Sequence, residues 1–151
     1  MTMTTHINRP TGAFIAASWA ALFIGAVTYI VGIWNATMPL QGKGYYLAVL
    51  MYGLFAAVSL QKSVRDRIED IPVTALYFGL CWISLGFVVL LLTVGLWNAP
   101  FASTEKGYYA MSFLLSLFGA VTVQKNVRDL STFKDEPVRA EKADPRPSPQ
   151  S

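Results

Sequence analysis

Four long apolar runs divide the chain, and its polar residues gather between the runs instead of alternating within them. Residues 13–34 carry no charge. Wound as a helix at about 1.5 Å per residue, roughly 22 residues cover the ~30 Å hydrocarbon core of a bilayer. Residues 45–60 form a shorter run near the lower limit for a span, which Gln61 and the aliphatic stem of Lys62 can extend. Residues 73–97 are long enough to cross with some tilt, and 108–123 repeat the short second run. In lipid a lone segment must satisfy its own backbone hydrogen bonds, and these runs lack the alternation of barrel strands, so all four are predicted helices. Connections of about ten residues at 35–44 and 98–107, and about twelve at 61–72, predict that consecutive helices are antiparallel neighbours. Beyond Asp129 the chain turns to charged residues, Ser and four prolines (Pro137, Pro145, Pro147, Pro149), a composition that predicts a disordered tail.

Displacing the sequence by 63 positions aligns its two halves without a gap. Trp19 meets Trp82, and Trp34-Asn35-Ala36 meets Trp97-Asn98-Ala99. Lys43-Gly44-Tyr45-Tyr46 meets Lys106-Gly107-Tyr108-Tyr109, and Gln61-Lys62 with Val64-Arg65-Asp66 meets Gln124-Lys125 with Val127-Arg128-Asp129. Each unit holds two spans, an even number, so the second copy enters the membrane in the orientation of the first. The expected fold is therefore an all-α membrane protein with four transmembrane helices in two tandem, parallel-repeat hairpins. Its parts are a short N-terminal segment (1–10), a first repeat (11–66), a linker (67–73), a second repeat (74–129) and the tail (130–151). Because a copy of the first run recurs in mid-chain, where no signal peptide could act, the first run is read as retained.

An apolar fraction of 54% against 14% charged residues leaves little surface for water, in agreement with the spans. The formal charge of +3 does not form a stripe for nucleic acid, and the bilayer is the expected partner. Ten of the twelve Lys and Arg residues lie in the N-terminal segment, the middle loop and the segment from Lys125 on, leaving Lys43 and Lys106 for the other two loops. By the positive-inside rule both termini and the middle loop are expected in the cytoplasm.

Trp34, Trp97, Tyr45, Tyr46, Tyr108 and Tyr109 fall at the expected outer interface with Asn35, Asn98, Lys43 and Lys106. Either they form an aromatic belt, or the rings gather around a lipid headgroup or quinone. Asn35 and Asn98 suit left-handed helix caps, and Gly44 and Gly107 suit the turn into the next helix. At the other end, Gln61, Lys62, Arg65, Asp66, Gln124, Lys125, Arg128 and Asp129 either anchor helix ends at anionic headgroups or present a docking platform for a partner. Identity across the two copies exceeds what anchoring alone demands. Small residues four apart, among them Gly53/Ala57 and Ser116/Ala120, predict close helix packing on equivalent faces of the second and fourth helices.

No Asp, Glu, Lys, Arg or His lies inside a run, although ion and proton pathways usually need one. Cys81 stands alone, His6 lies in the N-terminal segment, and no catalytic set, metal cluster or phosphate loop is recognisable, so neither an enzyme nor a cofactor is expected.

With Trp-Asn, Lys-Gly-Tyr-Tyr and Gln-Lys-x-Val-Arg-Asp recurring in two hairpins, the sequence resembles the YiaA/YiaB family of bacterial inner-membrane proteins over about residues 11–129. The resemblance implies a bacterial inner-membrane protein with one two-helix domain per hairpin, and it brings no catalytic residues. The favoured function is a non-enzymatic accessory protein that packs with itself or another membrane protein, in envelope maintenance or stress response. The alternatives are an oligomeric transporter or channel subunit for a small neutral or apolar solute, its pore lined by such residues as Thr28, Ser59, Ser84, Thr93, Ser112, Ser116 and Thr122, or a lipid- or quinone-binding protein.

Overall fold

A computed structural model of the protein describes residues 9–143; His6, Pro145, Pro147 and Pro149 lie outside them. Four helices run in order: α1 (Gly12–Asn35), α2 (Leu40–Ile68), α3 (Ala75–Asn98) and α4 (Ser103–Ala143). All four are long and apolar enough to cross a membrane, so the chain is an all-helical, four-span protein of two tandem hairpins.

The first helix of each hairpin is built the same way. The Thr11 hydroxyl accepts the Phe14 N–H at 3.2 Å, and Thr74, its equivalent, accepts that of Tyr77 at 3.3 Å, each satisfying a backbone donor that the first turn leaves free. At the far ends the Asn35 and Asn98 amides donate back to Val31 and Val94 carbonyls, both at 2.9 Å. The chain then leaves through Ala36 and Ala99 in extended conformation (φ −69° and −75°). The expected left-handed asparagine caps are therefore not formed, because each amide already serves a carbonyl of its own helix. Gly44 and Gly107 also differ from expectation, since both lie inside helices and no described glycine has positive φ. The polar turns before them are wound into α2 and α4, which shortens each loop at this end to 36–39 and 99–102. A polar turn at a membrane interface costs a helix nothing, and apolar runs alone underestimate its length. The left-handed residue is Asp70 (φ 57°), where the chain turns between α2 and α3 and the Ile71 N–H bonds the Asp66 carbonyl at 2.8 Å.

Helix α4 corrects a second expectation. It runs on to Ala143 with Pro137 inside it, over the first part of the tail expected to be disordered from residue 130, whose remainder, 144–151, lies outside the described residues. Low hydrophobicity argues against packing, and residues 131–143 are indeed exposed, but it does not argue against helix. The Lys, Glu, Arg and Ala residues there prolong a helix already nucleated in the membrane.

Burial repeats with the period of the sequence. On α1 the buried residues are Ser18, Gly25, Tyr29 and Ile33, and on α3 Cys81, Val88, Leu92 and Leu96, each 63 positions on. The wider buried faces of α2 and α4 correspond in the same way, from Tyr46 to Asp66 and from Tyr109 through Asn126. The helices pair across the repeats: α1 packs chiefly on α4, α3 on α2, and α2 on α4, whereas α1 and α2 of one hairpin meet little. Antiparallel neighbours within each hairpin were expected, but the faces that permit close approach lie between hairpins. The result is a pseudo-twofold arrangement with α2 and α4 central and parallel, α1 and α3 flanking, and Tyr29, Leu50, Val88 and Phe113 fully buried.

In lipid, apolar burial gives little drive for helix association, so close packing must supply it. A Cβ on Gly25 would stand 2.6 Å from the Ser116 amide nitrogen, and one on Gly119 2.6 Å from Leu22 Cα, so α1 and α4 meet backbone to backbone. Gly119→Val should lower stability by about 1–3 kcal/mol, read as a fall in melting temperature in detergent. Gly79→Ala, with nothing within 4 Å of the added carbon, should leave melting unchanged. Equal melting of the two variants would contradict the close α1–α4 contact.

Candidate functional site

The parallel course of α2 and α4 brings the two Gln-Lys-x-Val-Arg-Asp segments to the same level at one end of the bundle, where they bond to each other. Asp66 accepts Lys62 of its own helix at 2.7 Å and Arg128 of α4 at 2.6 Å. Asp129 accepts Lys125 of its own helix at 2.8 Å and Arg65 of α2. Each carboxylate is thus held by one lysine from its own repeat and one arginine from the other. Glu69, just beyond α2, bridges both guanidinium groups, at 2.7 Å to Arg65 and 2.7 Å to Arg128. The aspartates are almost wholly enclosed (8% and 11% exposed), and the arginines are largely covered. Gln61 and Gln124 stand beside this clamp and make no side-chain hydrogen bond among the described residues.

A second polar layer lies one turn deeper. Ser63, fully buried, meets the Cys81 thiol at 3.4 Å, and Asn126 donates to Ser18 at 3.0 Å in the equivalent positions. The α2–α3 and α1–α4 contacts therefore carry different polar pairs in the same register. The Asn126 Oδ1 atom is buried with no partner, as suits an acceptor for an enclosed water.

The other end is joined by tyrosines. Tyr45 donates to the Leu91 carbonyl at 2.6 Å and Tyr108, its equivalent, to that of Thr28 at 2.9 Å, each bond running from one repeat to the other. Tyr109 donates to Gly32 at 3.0 Å and Tyr29 to Tyr46 at 2.9 Å. Lys43 and Lys106 reach back to the last-turn carbonyls of Trp34 and Trp97, at 2.8 and 3.3 Å. Trp34 and Trp97 are widely exposed, Tyr45 and Tyr108 partly so, and Tyr46 and Tyr109 are core residues packed with Phe101. The ten residues expected at this interface thus divide between surface and core.

The hydroxyls of Thr28, Thr93, Ser112, Ser116 and Thr122 each bond a carbonyl four residues back on their own helix. Those bonds occupy each hydroxyl's donor within its own helix.

Motif matching between the repeats passes over the polar pairs, because Ser18 and Cys81, and Ser63 and Asn126, share a register but not an identity. It also passes over Glu69, whose equivalent is Thr132. The Thr11 and Thr74 caps were available as a matching pair ahead of each apolar run.

These features define a multi-pass helical membrane protein assembled from two two-helix units around a pseudo-twofold axis. The yiaA/B two-helix domain model matches residues 14–66 and again 77–129, and the chain belongs to that family. It is similar to the inner membrane protein YiaA of Escherichia coli K12, 54% identical over 84% of this chain and 88% of that one. It also resembles the inner membrane protein YiaB of the same organism (31% identical, 64% of this chain and 81% of that one). The uncharacterized membrane protein YubF of Bacillus subtilis 168 is 34% identical over 48% of this chain and 85% of its own. No solved structure matches. The four spans and the inner-membrane relatives make this an inner-membrane, multi-pass protein.

If the clamp couples the repeats, Asp66→Asn and Arg128→Gln should each destabilise, and the double variant should lose less than their sum. A coupling of about 0.5–3 kcal/mol is expected for groups in contact, and strict additivity would dissolve the pair.

The two arginines hold the Glu69 carboxyl below its ordinary value of 4.5, with the Arg65 hydrogen bond the larger cause. A lowered carboxyl contributes stability above its unfolded pKa and loses it as pH falls through its folded one. Melting temperature should therefore decline as pH is lowered below about 4.5. Glu69→Gln should flatten that decline, and an unchanged acid limb in the variant would remove Glu69 from the account.

Proposed function

We propose that the protein is a non-enzymatic accessory component of the inner membrane that works by contact with another membrane protein or a second copy, with both termini and the ion clamp in the cytoplasm. The ten-to-two partition of Lys and Arg supports that orientation. The observation that carries the contact reading is the extension of α4. At 41 residues this helix is roughly 60 Å long, about twice the hydrocarbon core. Its last turns are exposed throughout, with Phe133 and Val138 presented to water among Lys134, Asp135, Glu136 and Arg139. A mostly polar helix that, among the described residues, meets Arg9 over Phe133 at 5.5 Å and borders a cleft with Glu69 and Ile71 fits a reach toward a partner.

This placement shifts the contact surface. The Arg and Asp residues of the repeated motif are taken up in bonds between the repeats, and of the clamp's cations Lys62 and Lys125, each bonded to the aspartate of its own helix, are the more exposed (57% and 49%).

A photo-crosslinking side chain placed at Val138 in cells should give one reproducible protein adduct, while the same group at Thr37, at the tyrosine end, should give none. Deleting residues 131–151 should abolish the contact without changing the melting of the bundle. Adducts at Thr37 and none at Val138 would overturn the reading.

A further inference from the structure

We infer that the groove between α3 and α4, floored by α2, holds one acyl chain of an anionic phospholipid from the leaflet at the clamp end, with Lys125 and Gln61 receiving its phosphate. This goes beyond the accessory reading and does not depend on it.

The groove is a cavity of about 490 Å³ with almost wholly apolar walls, open toward lipid. Trp82, Leu85 and Val89 of α3 face Phe118 and Val121 of α4 across Leu60. It exists because the repeats have diverged where their helices meet. On α1 the packing positions are Gly25 and Ala26, and the helix settles against the backbone of α4 at Gly119. The equivalents on the other side are Val88, Val89 and Ala56, where α3 meets α2, and there larger side chains replace the glycines and α3 packs less closely than α1 does on α4. Because α3 and α4, like α1 and α2, scarcely touch, the looser flank leaves a slot between them. Where an interior has no partner atoms the lining forfeits its dispersion contacts, and within a bilayer the molecule at hand to restore them is an acyl chain.

The mouth of the groove selects the headgroup. Lys125 follows Val121 by one helical turn on the same face of α4. Its ammonium gives one hydrogen bond to Asp129, and the group has two further donors. Gln61 lines the groove at the same end, half-buried, with no side-chain partner among the described residues. A cation with spare donors and an unpartnered amide at the polar end of an apolar slot match a phosphate at the end of an acyl chain.

The protein contains its own control. Trp19, Gln124 and Lys62 reproduce Trp82, Gln61 and Lys125 in the other repeat, but there α1 sits close on α4. Polar mouth residues are thus present twice, while the flank beside them is open at α3 and drawn close at α1.

The test is native mass spectrometry of the intact protein released from vesicles of equal parts phosphatidylglycerol and phosphatidylethanolamine. One retained lipid per chain, enriched in phosphatidylglycerol, is expected. Lys125→Gln should reduce that enrichment by about fivefold, the weight of one lysine near an anionic surface, whereas Lys62→Gln, which removes the same clamp bond from the other repeat, should leave it unchanged. Val89→Phe, filling the slot, should abolish retention while the protein still melts cooperatively. Should that variant not fold, Val121→Leu narrows the slot from its α4 wall by a single methylene and should weaken retention in the same direction. No retained lipid in the unaltered protein, equal effects of the two lysine variants, or undiminished retention with the slot filled would each overturn the inference.

Discussion

The reciprocal exchange of Arg and Asp between α2 and α4 is the interaction on which the rest of the arrangement depends. Two parallel helices have no intrinsic reason to lie side by side in lipid, because the tails around them are as apolar as their own leucines. A carboxylate near the end of α2 is also unfavourable alone, since a helix C-terminus already carries partial negative charge. Arg65 and Arg128 answer both difficulties by crossing to the aspartate of the opposite repeat, and the lysine one turn before each aspartate completes its coordination. At 8% and 11% exposure the aspartates have given up most of their water, so a carboxylate without its arginine would be left enclosed and poorly compensated.

Pairing across the repeats makes the two hairpins one unit. A single hairpin offers each aspartate its lysine but not its arginine, and offers Tyr45 or Tyr108 no carbonyl to reach, since Leu91 and Thr28 belong to the other repeat. The clamp closes one end of the bundle, the tyrosines close the other, and between them Gly25 and Gly119 let α1 approach α4. Ser18 with Asn126 and Cys81 with Ser63 distinguish the two flanking contacts, so exchanging α1 for α3 would bring the wrong polar groups together.

Spans and repeat were legible in the sequence because they rest on length, hydropathy and identity at a fixed offset, all properties of the chain itself. The choice of partners was not. Four largely apolar helices offer little polarity contrast from which to infer which faces meet, and short loops pointed to α2 with α3, which do pair, but also to α1 with α2 and α3 with α4, which meet little. The Gln-Lys-x-Val-Arg-Asp motif was visible, and adjacent Arg and Asp in parallel copies are self-complementary. That complementarity becomes a bond only once α2 and α4 are known to lie side by side at the same level. Tyr46 and Tyr109 were read with the interfacial aromatics because sequence places a residue by depth along a span, not by the face it presents. Helix beyond Asp129 was missed because a composition that rules out packing was allowed to speak for backbone conformation.

A duplicated membrane protein held together by symmetric bonds has little freedom at the positions that make them, and Arg65, Asp66, Arg128 and Asp129 are accordingly the same in both copies. Its individuality has to lie where the copies differ without breaking the bonds between them. Glu69 against Thr132 gives the clamp a carboxylate on one side only. Gly25 and Ala26 against Val88 and Val89 close one flank and open the other. Helix α2 stops at Ile68 while α4 continues to Ala143, which places a long polar rod on one side of the pseudo-axis. All three differences concern α3, α4 or the loop before α3, and two of them lie near the clamp end. A symmetric frame with its departures gathered there is polarised toward one end, because the bonds that hold the repeats together fix the identical positions and leave the unlike ones to differ.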